Sequence, residues 1–332
     1  MDIRSLPKIE LHSHLDCALG FDAVHAIDHR ISRDEYETRF VAPRQTESLA
    51  EYLTYTFNYR GILQSEGALR IAVQDVFAQM QQENVIYGEL RFAPLVHTAG
   101  DLDPEEVVRT VAEETVTQIA MTGIEASVIL CTLRDFTAAQ SMRTAELVRE
   151  FARTTPVAAF DIAGDEIAHP LERHLRAFHS VRAAGLGITV HAGEAAGPES
   201  VREALDHTGT RRIGHGVRSI EDASLVERII QDRIHLEICP ICNVQTHAVA
   251  SMEDHPVDRL HRLGVSVGIS TDTRGVTASS LTEEYETLQR VFGWTLEDFG
   301  RMNRNALAVA FVEDEVRETL AALLDEAYPA AR

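Results

Sequence analysis

Gly187-Ile188-Thr189-Val190-His191-Ala192-Gly193-Glu194 decides how this chain is expected to fold. Its first half is short, apolar and β-branched, the composition of a buried strand. Ala192 and Gly193 are small enough for a turn made close to a ligand. A histidine closes the strand and a glutamate follows the turn. Parallel α/β barrels place their chemistry in this way, at the C-terminal ends of buried strands.

The same pattern recurs on both sides of this stretch. Candidate strands are Ile9–His12, Val85–Ala93, Glu125–Cys131, Val157–Ala163, Gly187–His191, Arg212–His215, His235–Cys239 and Val265–Thr271. Helical stretches alternate with them: Pro104–Met121, Ala139–Thr154, Pro170–Ala184 and Glu221–Gln231 carry apolar residues at helical spacing. Eight strands in alternation with helices predict an α/β fold, a single (β/α)8 TIM barrel domain spanning 1–332. The segment Asp22–Arg70 is longer than one crossover needs and carries Tyr52, Tyr55, Phe57 and Tyr59. It is read as extra helices over the C-terminal mouth; the alternative is an ordinary helix with its aromatic face in the core. Leu281–Leu324 is mostly helical and closes the domain.

Composition removes several functions. The 332 residues are 45% hydrophobic, enough for a core of this size. Net charge is −21, which repels nucleic acid and anionic membranes. No apolar run is long enough to span a membrane, and Met1–Glu10 has no signal-peptide pattern. Cys17, Cys131, Cys239 and Cys242 are too few for a disulfide scaffold, so a reducing cytoplasm is expected. Lys8 is the only lysine. It stands at the start of the first strand, the wrong end for a Schiff base or for a carboxylated lysine bridging two metals.

His12 and His14 are two apart, hence on one side of a strand. His191 ends the fifth candidate strand and Asp272 the eighth. In a closed barrel strands one and eight are neighbours and strand five lies opposite, so the four donors can converge on one cation. Imidazole and carboxylate donors suit zinc, with other divalent transition metals possible. Glu194 and His215 follow strands five and six and are read as proton-transfer groups beside that ion. Other histidines, such as His25, His97 and His255, are read as surface or structural. A rival site lies in His235-Leu236-Glu237-Ile238-Cys239-Pro240-Ile241-Cys242, which holds an H-x-E and a C-x-x-C. The two halves are fused here and the proline lies inside the C-x-x-C, so Cys239 and Cys242 are read as buried near the strand end.

The segments Pro7–His12, His12-Ser13-His14-Leu15-Asp16, Glu89–Pro94, Asp161–Glu166, His191–Glu194, Arg212–Gly216, Cys239-Pro240 with Asn243, and Thr271-Asp272 resemble the adenosine deaminase family of metal-dependent amidohydrolases. The resemblance runs nearly end to end, to the helix at Asn303–Ala310. It implies one zinc per chain on His12, His14, His191 and Asp272. It implies Glu194 as proton donor to purine N1, His215 as the base beside the attacking hydroxide, and Asp272 as an acceptor from that hydroxide. Asp16, with His14 nearby, is expected at the ribose 5′-hydroxyl, and the Gly164 backbone at ring N3. The implied reaction converts adenosine or deoxyadenosine to inosine or deoxyinosine plus ammonia, with a small purine nucleoside as partner and neither nucleic acid nor membrane.

Three departures bear on the substrate. Thr273 stands where the family carries a second aspartate that contacts N7; its hydroxyl can still donate there. Cys17 replaces a usual glycine near the ribose. Arg274 is either a phosphate contact or a salt-bridged loop residue. The alternative substrates are therefore modified 6-aminopurines: aminodeoxyfutalosine, an N6-substituted adenine compound or an N6-modified AMP. A carboxylate at Asp16 speaks against phosphate.

Overall fold

The computed structural model describes residues 2–329. Its strands are β1 Lys8–His14, β2 Val85–Phe92, β3 Glu125–Leu133, β4 Val157–Ala163, β5 Gly187–Ile188, β6 Val190–Ala192, β7 Arg212–His215, β8 His235–Ile238 and β9 Ser266–Ile269. β1 to β5 pair in chain order, as do β6 to β9, and every pairing is parallel. β5 and β6 are halves of one barrel strand parted at Thr189, whose hydroxyl donates to the Glu237 carboxylate (2.8 Å) instead of leaving the wall regular. The ring closes where Ser13 bridges Asp272: His14 N–H donates to Asp272 O (2.7 Å) and Asp272 N–H to His12 O (2.9 Å). The eight-stranded barrel is thus complete.

Two expectations need correction. The last strand stops at Ile269, so Asp272 lies beyond it and reaches the site through the closing bridge. Pro170–Ala184 is a 3-10 turn, Leu171–His174, followed by a helix, Leu175–Ala183. The crossover helices otherwise start and stop as their caps dictate. Asp103 and Glu106 form a capping box on Pro104–Thr122, and Gly123 ends it in the left-handed conformation.

The apolar core lies between strand ring and helices, for example where Phe160 of β4 meets Phe178 edge-on at 4.8 Å. The barrel interior is different. Arg91 of β2 pairs with Asp161 of β4 (2.7 Å) and Glu237 of β8 (2.6 Å), and Arg212 of β7 pairs with Glu237 (2.8 Å) and Glu89 of β2 (2.5 Å). All five are buried. All but the Arg212–Glu237 pair join strands that are not neighbours, so the network crosses the inside of the ring. Lys8 sits at the other end, donating to the carbonyls of Arg4, Leu6 and Glu83.

Between β1 and the crossover helix Glu66–Gln82 stand three further helices, Phe21–Ile27, Arg33–Arg39 and Leu49–Ile62. The last packs on the turn Leu15–Cys17 that follows β1 and roofs the cavity described next. Of its aromatics Tyr52 and Tyr59 are buried, while Phe57 is exposed. Among the described residues no helix is long and apolar enough to cross a membrane.

Candidate active site

At the C-terminal end of the strands a cavity of about 260 Å³ opens toward solvent. His14, Asp16, Cys17, Gly164, His191, Glu194, His215, Asp272 and Thr273 all line it, and His12 lies just beneath with no exposed surface. The residues singled out in the sequence are therefore gathered in one place.

His12, His14, His191 and Asp272 each offer a donor atom within 4.8 Å of the others. His14 Nε2 faces His191 Nε2 at 3.1 Å, and Asp272 Oδ1 lies 3.3 Å from His14 Nε2 and 3.5 Å from His12 Nε2. Partners outside the cluster set the tautomers. His12 Nδ1 donates to Glu237 (3.0 Å) and His191 Nδ1 to Asp161 (3.0 Å), since carboxylates only accept. Both Nε2 lone pairs therefore turn inward, and that of His12 is buried without a partner. An orphaned imidazole lone pair facing a carboxylate and two more imidazoles is the donor set of a transition-metal site. Burial pushes the imidazole of His12 down to about 4 and that of His14 to about 3, so both are neutral and free to coordinate. For His191, burial acts in the same direction, but the Asp161 charge outweighs it and holds the group above its ordinary value.

The backbone at these positions is unusual. His215 (φ 64°) and Asp272 (φ 65°) both occupy the left-handed region that side chains other than glycine rarely adopt. Two such residues in one site are strain held by the surrounding fold. Gly214 is required for a different reason. A Cβ there would meet His12 Cε1 at 3.0 Å and the His191 backbone at 3.3 Å.

Glu194 is 6% exposed, and its carboxylate accepts from Asn243 Nδ2 (3.1 Å) and Thr246 Oγ1 (3.0 Å). Burial raises its affinity for a proton above that of an ordinary glutamate, with His215 opposing. His215 Nε2 lies 3.5 Å from Glu194 and 3.8 Å from Asp272. These groups form a proton-handling cluster beside the donor set.

Sequence reasoning passed over the supports. Glu166 accepts backbone N–H bonds from Gly193, Glu194, Ala195 and Ala196 and a hydroxyl bond from Ser200, which fixes the loop carrying Glu194. Glu237, read only as part of a rival motif, orients His12. Cys239 and Cys242 are buried free thiols as expected. Cys242 Sγ points at Asp272 Oδ2 (2.9 Å), a contact the sequence did not suggest. Thr273 is hydrogen-bonded to the hydroxyl of Tyr52, so the roofing helix positions it. Arg274 is buried in ion pairs with Glu10 and Glu83 and faces away from the cavity, which settles its two readings in favour of the salt bridge.

Known proteins share this fold and sequence pattern along nearly the whole chain. A family model described as adenosine deaminase matches residues 7–327. An adenosine deaminase of Streptococcus agalactiae is 32% identical over 98% of this chain and 97% of its own length. The crystal structure of Arabidopsis ADAL complexed with IMP superposes with a TM-score of 0.87 at 26% identity, covering 98% of each chain. An amidohydrolase of Burkholderia ambifaria with bound Zn superposes with a TM-score of 0.88 at 21% identity, over 98% of this chain and 92% of that one.

Proposed function

Because this chain belongs to the adenosine deaminase family, and is thus an aminohydrolase acting on adenine-type C–N bonds, we propose that it hydrolyses the 6-amino group of adenosine and deoxyadenosine, releasing ammonia. One observation carries this reading: four donors from β1, β6 and the closing segment after β9 meet within 4.8 Å, with Glu194 and His215 beside them.

His12, His14, His191 and Asp272 would hold one zinc ion. When bound, zinc supplies Lewis acidity that brings the pKa of water down toward about 7. The chain supplies the rest. Glu194, whose proton affinity burial raises, donates to N1, so charge does not build on the ring as water adds at C6. His215 accepts the proton of the attacking water. The Gly164 backbone, at φ 107° on the cavity wall, is within the lining where ring N3 would bind. Asp16 and His14 receive the ribose 5′ side, and Thr273, held by Tyr52, donates to N7. The roofing helix covers one side of the bound substrate.

A second reading keeps the chemistry and changes the substrate to an N6-substituted or phosphorylated 6-aminopurine. Thr273 in place of a carboxylate and the likeness to a protein complexed with IMP favour it. Ammonia or amine release from zinc-loaded protein, measured on adenosine, deoxyadenosine, aminodeoxyfutalosine and N6-methyl-AMP, tests both. Activity on adenosine that disappears in Glu194→Gln supports the first reading; amine release confined to N6-methyl-AMP supports the second.

A further inference from the structure

Arg60 lies in the roofing helix Leu49–Ile62 and lines the same cavity as Asp16 and His14. Its guanidinium rests 5.2 Å from the centre of the Phe57 ring. Among the described residues its side chain makes no hydrogen bond or ion pair, and its Nε is buried without a partner. Arg91, Arg134 and Arg274 also leave Nε unmatched, but their terminal nitrogens are bound to carboxylates or carbonyls. Arg60 is thus a half-buried cation on the cavity wall whose Nε is cut off from water without an acceptor and whose terminal nitrogens meet no acceptor of the protein, an arrangement to which a ligand could bring acceptors.

We propose that Arg60 is a specificity-determining residue whose guanidinium pairs with an anionic 5′ substituent, so that this cavity takes 6-aminopurine nucleoside 5′-monophosphates as well as free nucleosides. The inference rests on the deaminase reading above. Guanidinium and phosphate match as fork to fork. Position fits too, because the helix packs on the turn that carries Asp16, the group expected at the ribose 5′ end. The Asp16 carboxylate stands beside the same space. Its Oδ2 accepts from Ala93 N–H (3.3 Å) and lies 3.4 Å from His97 Nε2. Arg60 lies close enough for its charge to act on this carboxylate, so a phosphate would share the guanidinium with it. Of the other acids of the lining, Asp135 and Asp165 follow β3 and β4, Asp165 accepts from the N–H groups of Ile167 and Ala168, and Glu166, Glu194 and Asp272 are engaged by the 193–196 loop, by Asn243 and Thr246, and by the histidine cluster. In a chain of net charge −21, a dianionic ligand needs such a local cation to enter.

The test compares kcat/KM for adenosine and adenosine 5′-monophosphate in the wild type, Arg60→Met and Arg60→Lys. Calorimetric affinities for inosine and inosine 5′-monophosphate are measured on the same proteins. Arg60→Met is expected to lower kcat/KM for the monophosphate about 10- to 100-fold more than for adenosine, chiefly through KM. Affinity for inosine 5′-monophosphate falls in parallel, and Arg60→Lys recovers part of both losses. An equal loss on both substrates overturns the proposal, as does a wild type that turns over adenosine and ignores the monophosphate. Ammonia from neither substrate would overturn the reading of adenosine as substrate, and this proposal with it.

Discussion

Asp272 and His215 turn back on themselves at positive φ, and each thereby points a side chain from a barrel rim into the cavity centre. Such strain is invisible in a sequence, where both residues look like the natural ends of strands. The H-x-H pair and the H-A-G-E turn were legible because their spacing alone puts the donors on one side. Asp272 was legible as a candidate ligand and not as a residue beyond its strand, because the parallel bridge to Ser13 that carries it is a long-range contact. At this scale the proton donor is the first thing to test. Glu194→Gln keeps the buried hydrogen bonds and the metal ligands but removes the proton, so metal content per chain stays at the wild-type level while kcat drops about 10²- to 10⁴-fold. Metal analysis alongside initial rates reads both. Tyr52→Phe frees Thr273 from its partner. It is expected to raise KM for adenosine a few-fold and to leave KM for 7-deazaadenosine, which lacks N7, nearly unchanged.

Between elements, carboxylates hold the site together. Asp161 at the end of β4 and Glu237 in β8 fix two ligand imidazoles and are in turn fixed by Arg91. Burial works against both charges, yet His191 and Arg91 around Asp161, and Arg212 and Arg91 around Glu237, hold the two carboxyls well below the usual carboxylate range. The sequence carried a trace of this network. Glu89 and Arg91 sit two apart in an otherwise apolar strand, as do His235 and Glu237. Charges buried in a barrel wall stay obscure until the strands across the ring are known. Asp161→Asn keeps an amide oxygen for His191 Nδ1–H but removes the negative charge that His191 and Arg91 meet, leaving Arg91 partly unpaired. Zinc affinity is expected to fall about 10- to 100-fold by chelator competition, and denaturant melts to lose about 3 kcal/mol. Glu166 acts similarly on the 193–196 loop. A stable Glu166→Gln with full metal content and wild-type kcat would show that the loop does not need this anchor.

Over the whole molecule, the alternation of strands and helices was readable because each barrel strand is apolar enough to stand out. The split at Thr189 was not, because it answers a carboxylate on another strand. Burial on this scale also sets acid sensitivity. His235 and His255 lie far along the chain from the ligands, and burial pushes each down to about 3. The unfolded chain protonates both near 6.5. Between those values it binds more protons than the folded protein, so stability falls as pH drops from about 6.5 toward 3. Melting temperatures of metal-free protein are expected to decline across that window, with a shallower decline in His255→Gln. A flat profile down to pH 4 would show that these imidazoles are charged in the folded state.

The proposed chemistry depends above all on one cation held by imidazoles and a carboxylate. X-ray absorption of the zinc-loaded protein at one equivalent addresses this directly. It is expected to give a shell of nitrogen and oxygen neighbours at about 2.0–2.2 Å with an imidazole pattern and no sulfur. A sulfur shell near about 2.3 Å would move the metal to Cys239 or Cys242 and contradict the site described here.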